Sequence, residues 1–114
     1  MNFGQWGEEL ACNYLRRNGY EILERNFRCR TGELDIIAVK GSVLCFVEVK
    51  SRRGTLHGWP SEAVTPQKQK HLKGAALYYL HSHPGDQIRD LRMDVIEVLR
   101  VDRRNYIRHI KNAF

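Results

Sequence analysis

Glu33, Asp35, Glu48 and Lys50 are the residues of this chain whose types and spacing could do joint chemistry. They lie in two runs rich in β-branched residues, 33–40 (ELDIIAVK) and 43–50 (VLCFVEVK). Only Gly41 and Ser42 separate the runs, a two-residue hairpin signal with Gly at the first central position. If Lys40 pairs with Val43, Asp35 falls opposite Glu48 and Glu33 opposite Lys50. Side chains alternate along a strand, so all four share one face at the hairpin end away from the turn. Ile37, Val39, Leu44 and Phe46 continue that face as apolar packing.

Two carboxylates placed opposite each other have Cβ atoms ~5 Å apart and repel. In a largely apolar sheet the arrangement is costly unless a cation sits between them. Mg²⁺, or Mn²⁺ in its place, suits the role, because a hard divalent ion takes one or two carboxylates and completes its shell with water and substrate phosphate. Such an ion polarises a phosphoryl oxygen and lowers the pKa of bound water. Lys50 points to the same side. It can orient or help deprotonate an attacking water, or neutralise charge developing on phosphate. The competing reading is a structural cluster, with Glu33 neutralising Lys50 while Asp35 and Glu48 reach the sheet edge and water. Alternating charges are common on solvated strand faces, but Ile36, Ile37, Val47 and Val49 surround these.

Several elements must position the set. A helix is predicted over 4–18, with Leu10, Ala11, Tyr14 and Leu15 at helical spacing. Glu8 and Glu9 lie in its early turns, where the helix dipole favours acids, and Gly19 is the stop. Residues 20–27 read as a strand and 28–32 as a basic turn. The two hairpin strands are apolar on both faces and belong in the middle of a sheet covered by helices. Residues 51–60 read as a loop and 61–64 as a helical turn. Thr65 as N-cap and Pro66 at the first helical position start a long helix. Its stripe is Leu72, Ala75, Ala76, Tyr79 and Leu80, and it ends before Pro84-Gly85. Residues 91–101 and 105–111 read as strands. Strand, helix and strand over 43–50, 66–82 and 91–101 suggest a parallel crossover. The class is α/β with a mixed central sheet flanked by helices.

The chain has 114 residues, room for one domain over 1–114. Its net charge of +6 favours an anionic partner such as nucleic acid. Residues 1–57 hold nine Lys/Arg against seven Asp/Glu and the remainder ten against six, so neither half is a basic tail. No apolar run approaches the ~20 residues of a membrane span, and the first residues do not read as a signal peptide. Cys12, Cys29 and Cys45 are odd in number and far apart, and read as reduced thiols of a cytoplasmic protein.

Arg28 and Arg30 precede the hairpin, and Arg52 and Arg53 follow it, just beyond Lys50. They could grip phosphates or form solvated basic loops. Lys68 sits in the first turn of the second helix and could face the site. Lys70 and Lys73 read first as an ordinary exposed helix face. Asp94 interrupts an apolar strand, where it could join the acids or bond Arg92 or a nearby amide. Trp59, in a Gly/Pro loop, could stack on unpaired bases, whereas Trp6 reads as packing. His81 and His83 have no third metal ligand near them in sequence.

Asp35 followed by Glu48-Val49-Lys50 on the next strand resembles the PD-(D/E)XK nuclease motif, with Leu34 where the nominal proline would stand. The αβββαβ order resembles the restriction-endonuclease-like core. Gly4, Gly7 and Glu8 in the first helix, RNFR (25–28), GELDIIA (32–38), FVEVKSR (46–52), EAVTPQK (62–68) and RMDVI (92–96) are similar to the YraN-like family. These are small bacterial proteins similar to Holliday-junction resolvases and described as predicted endonucleases. The resemblance implies a metal-dependent phosphodiesterase acting on DNA, including branched DNA. It implies that Asp35 and Glu48 bind Mg²⁺, that Lys50 acts on the water or scissile phosphate, and that Glu8 completes the acidic cluster. It also implies a homodimer, since a junction presents two symmetric strands. A fold does not by itself establish cleavage. A non-catalytic nucleic-acid-binding protein on the same scaffold, and a protein-interaction module with a structural acidic cluster, stand beside the nuclease reading.

Overall fold

The first helix, α1 (Phe3–Arg17), starts at Asn2. The Asn2 carboxamide oxygen accepts the Gln5 N–H at 2.8 Å, and Gln5 Oε1 accepts the Asn2 N–H at 2.9 Å. This reciprocal cap satisfies two end donors that the helix itself cannot. No acid lies in the first turn. Glu8 and Glu9 therefore sit beyond the reach of the dipole expected to favour them, which fades within one turn. Asn18 caps the other end and Gly19, at φ 85°, turns the chain.

The computed structural model describes residues 1–54, 64–83 and 90–114. After α1 come β1 (Glu21–Cys29), β2 (Gly32–Lys40), β3 (Val43–Arg53), α2 (Pro66–Ser82), β4 (Asp90–Val101) and β5 (Arg104–Ile110). They form one sheet in the order β1-β2-β3-β4-β5. Only β3 and β4 run parallel, and α2 is the crossover between them. The sheet is mixed, as the strand-helix-strand succession predicts.

Among the described residues each sheet face carries one helix. Ala11, Cys12 and Leu15 of α1 pack with Ile36, Ala38, Cys45, Val47, Ile96 and Val98. Leu72, Ala75, Ala76 and Tyr79 of α2 pack with Leu34, Ile37, Leu44 and Phe46. The two-sided apolar character of β2 and β3 is thereby explained: each side of these strands is covered.

Most boundaries differ from the sequence reading by one to three residues, and three of the differences have a plain physical cause. β1 runs to Cys29, so Arg28 lies in a strand facing Glu33, and only Arg30 and Thr31 remain as the turn. β3 extends through Arg53, because its parallel pairing continues to Arg53 beside Arg100. Arg52 and Arg53 are therefore strand residues, not loop residues. β5 begins at Arg104, after Asp102 and Arg103 at φ 47° and 65° make a tight turn. The helical turn expected over 61–64 falls mostly outside the described residues, and so does Trp59.

Candidate active site

The β2–β3 ladder runs in the predicted register from Lys40 and Val43 to Ile36 and Val47. Gly41 has φ 60° and Ser42 does not share that sign, the pattern of a II′ turn. Continued by count, this register puts Asp35 opposite Glu48. Regular pairing ends there. The Asp35 Oδ2 accepts the Val49 N–H at 2.8 Å, so the side chain takes a main-chain donor where the strands part.

A break in the pleat accompanies this parting. Leu34 and Ile37 both pack on the α2 side, whereas Ile36 packs on the α1 side. Strict alternation fails at Asp35. On β1, Asn26 falls opposite Asp35 by count and has φ 53°. Arg25, before it, bonds Glu9 of α1, and Phe27, after it, packs on the α2 side. Asn is among the few residues that tolerate this left-handed conformation.

The parting opens a cleft of about 510 Å³ at the end of the sheet. Glu8 of α1, Asp35 of β2, Glu48, Lys50, Ser51 and Arg52 of β3, and Thr65 and Lys68 at the start of α2 all line it. Gly7 brings α1 close. A Cβ there would lie 1.7 Å from Ser51 Oγ, so only glycine lets the helix approach β3 and bring Glu8 to the cleft. Gly32 does the same for α2: at φ 152°, a Cβ would lie 2.4 Å from the His71 carbonyl oxygen.

Burial, then the neighbouring charge of Glu48, push the Asp35 carboxyl up to about 7, despite the opposing Val49 hydrogen bond. Glu8 adds to the rise. The Lys68 ammonium lies 3.1 Å from Glu48 Oε1. Its hydrogen bond to Glu48 raises the Lys68 pKa, and the charges of Glu48, Asp35 and Glu33 add to that. A pair of crowded carboxylates with a cation already drawn to one of them is a donor set that fits a divalent ion. Asp35 and Glu48 could hold it. Among the described residues no three His, Cys, Asp or Glu side chains gather closely enough to bind a metal alone. Mg²⁺ commonly uses one or two carboxylates and keeps several waters, so two suffice.

Other predicted site residues fall elsewhere. Glu33 does not line this cleft. It meets Arg28 at 3.4 Å on an exposed surface and lines a neighbouring groove with Arg28, Arg30 and Lys68. Asp94 is fully buried and does not line the cleft; of its two expected roles the structure gives it the structural one, bonded to Arg92 and a nearby amide rather than gathered with the acids. It accepts hydrogen bonds from Arg92 at 2.9 Å and the Asn112 N–H at 3.1 Å, and pairs with His109 Nε2 at 2.7 Å. Burial would raise its pKa, but His109 and Arg92 outweigh burial and hold it below the usual carboxylate range. Arg52 lines the cleft. Arg53 stands over the Phe3 ring, 4.5 Å from its centre. Ser51 and Thr65 were not anticipated in the cleft. The motif position of Ser51 directly after Lys50 was the available signal.

An αβββαβ core with an acidic pair and a lysine at the parted end of its central hairpin defines a fold of the restriction-endonuclease-like kind. Residues 7–98 match the uncharacterised protein family UPF0102. A UPF0102 protein of Syntrophomonas wolfei is 52% identical over 111 residues, covering 97% of this chain and 96% of its own. Relatives from Caldicellulosiruptor saccharolyticus and Syntrophotalea carbinolica are 48% and 46% identical, covering 97% and 100% of this chain and 95% and 92% of their own. The chain belongs to the UPF0102 family, which is the YraN-like family of predicted endonucleases that its motifs resemble.

Proposed function

We propose that this protein is a Mg²⁺- or Mn²⁺-dependent endonuclease that hydrolyses phosphodiester bonds in DNA, branched DNA included. The observation that carries the reading is the Asp35–Glu48 pair: two half-buried acids, one with its carboxyl pushed up to about 7, in a cleft shared with two lysines. A bound divalent ion would polarise the phosphoryl oxygen and acidify a water. Asp35 and Glu48 would hold that ion. Glu8 enlarges the negative field around it from α1. Asp35 is fixed by the Val49 N–H, so its carboxylate is oriented before anything binds. Lys50 orients the attacking water or takes up charge on the scissile phosphate. Lys68, released from Glu48, is free to meet a phosphate oxygen. Arg52, Arg53, Arg28 and Arg30 hold phosphates on either side.

Among the described residues no helix is long and apolar enough to cross a membrane. The three cysteines are free. A cytoplasmic protein acting on DNA as a homodimer is the setting we propose.

A second reading rests on the Lys68–Glu48 contact. If Lys68 is the permanent counter-ion, the cleft binds nucleic acid without cutting it. Incubation of plasmid, linear and four-way-junction DNA with the protein separates the two. The nuclease reading expects nicks or cuts with Mg²⁺ or Mn²⁺ and none with EDTA. Salt-dependent binding without cleavage of any form would favour the second.

A further inference from the structure

A basic path leaves the cleft along α2. Lys68 lines the cleft and also a groove of about 340 Å³ beside it. Arg30 and His71 line that groove and also a third of about 690 Å³. Lys70, Lys73 and Leu77 also line the third. The three hollows are therefore consecutive, joined by shared side chains. They run from the parted hairpin across the β1–β2 turn and along one side of α2.

The charge of this path is one-sided. α2 contains no Asp or Glu in its 17 residues. Among the described residues no acid lines the third groove. The one acid among the described residues of the second, Glu33, is already paired with Arg28. Lys68, Lys70, His71 and Lys73 are all exposed. Lys70 and Lys73 are three residues apart, so they project from neighbouring positions on one helix side. An ordinary solvated helix interleaves both signs, and this one does not. Leu77, 67% exposed, gives the far end an apolar contact.

We infer that this groove is the track of a nucleic-acid strand entering or leaving the cleft, with Arg30, Lys70 and Lys73 neutralising its phosphates. The inference rests on the nucleic-acid side of the function proposed above and extends it to residues outside the acidic pair. It gives α2 a role as a rail that fixes which part of a bound strand lies over Asp35 and Glu48.

The test is DNA binding by the whole chain in EDTA, where cutting cannot occur, measured with a four-way junction and a plain duplex across a salt series. Each phosphate contact contributes about 0.9 to the slope of log affinity against log salt on duplex DNA. Arg30→Gln/Lys70→Gln/Lys73→Gln should lower that slope by about 2 to 3 and weaken binding at least tenfold at moderate salt. Arg16→Gln/Arg17→Gln, at the far end of α1, removes two charges elsewhere and should leave the slope unchanged. An unaltered slope in the triple variant, or an equal fall in the α1 variant, overturns the track. So does absence of DNA binding by the unaltered chain. Asp35→Asn reports on the other claim. If it loses cleavage while the triple variant alone loses slope, both stand. If nothing cleaves but the triple variant still loses slope, the track stands and the nuclease reading fails.

Discussion

Lys68 and Glu48 meet at 3.1 Å across the mouth of the cleft, one from the first turn of α2 and the other from the middle of β3. Glu48 is 11% exposed and Lys68 49%. The ammonium brings a positive charge from α2 to the carboxylate of Glu48. It also occupies a place that a divalent ion would contest. The contact is half open to water and is worth at most about 1 kcal/mol of stability. Lys68→Gln should therefore cost little in EDTA, while the rise in melting temperature on adding Mg²⁺ should grow, because a competitor has gone. A smaller rise in the variant would mean that Lys68 helps to hold the ion rather than competing with it.

Asp35 makes stability depend on pH in an unusual direction. Its folded pKa is about 7, above the ordinary 3.8. Between those values the folded chain holds more protons than the unfolded one, so stability falls as pH rises from about 4 to about 7 and then levels. Each unit of displacement is worth about 1.4 kcal/mol. Asp35→Asn keeps an oxygen for the Val49 N–H but removes the titration. Urea unfolding in EDTA at pH 5 and pH 8 should show the variant gaining on the unaltered chain at the higher pH by a few kcal/mol at most. Parallel profiles would show that the carboxyl is not displaced.

Gly7 sets the approach of α1. Gly7→Ala would gain up to about 1 kcal/mol of helix propensity, but its Cβ would lie 1.7 Å from Ser51 Oγ. Overpacking of this kind costs about 1 to 3 kcal/mol. The variant should be less stable and, by displacing Glu8, less active. Adding Ser51→Gly should recover much of both losses, as read by thermal unfolding and by cleavage. Failure of the second change to restore stability would remove the close approach as the cause.

Asp94 should separate architecture from chemistry. It is fully buried and bonded to Arg92, His109 and Asn112. Asp94→Ala strands the Arg92 charge and should cost about 3 to 5 kcal/mol, without changing the affinity of the remaining folded protein for metal. Loss of metal affinity in protein shown to be folded would bring Asp94 into the site.

The hairpin was legible in the sequence because Gly41-Ser42 admits one short turn, and that turn fixes which acids oppose each other. The helix stripes were legible for the same local reason. What escaped depends on partners distant in the chain. Strict alternation through Asp35 puts Glu33 on the acidic face, but alternation fails beside Asn26 at φ 53°. Arg52 and Arg53 looked like loop residues until the parallel partner β4 extended their strand. Lys68 faces the cleft as its first-turn position predicts; only its partner Glu48, twenty positions back, is set by how α2 lies on the sheet.

On the function proposed above, Asp35 and Glu48 together hold one divalent ion. Titration of the protein with Mn²⁺, following free ion by electron paramagnetic resonance, tests it without requiring the right DNA. One ion per chain should bind to the unaltered protein, Mg²⁺ should displace it, and Asp35→Asn or Glu48→Gln should each weaken it at least tenfold while leaving the fold intact. No binding by the unaltered protein, or equal binding by all three, would contradict the account.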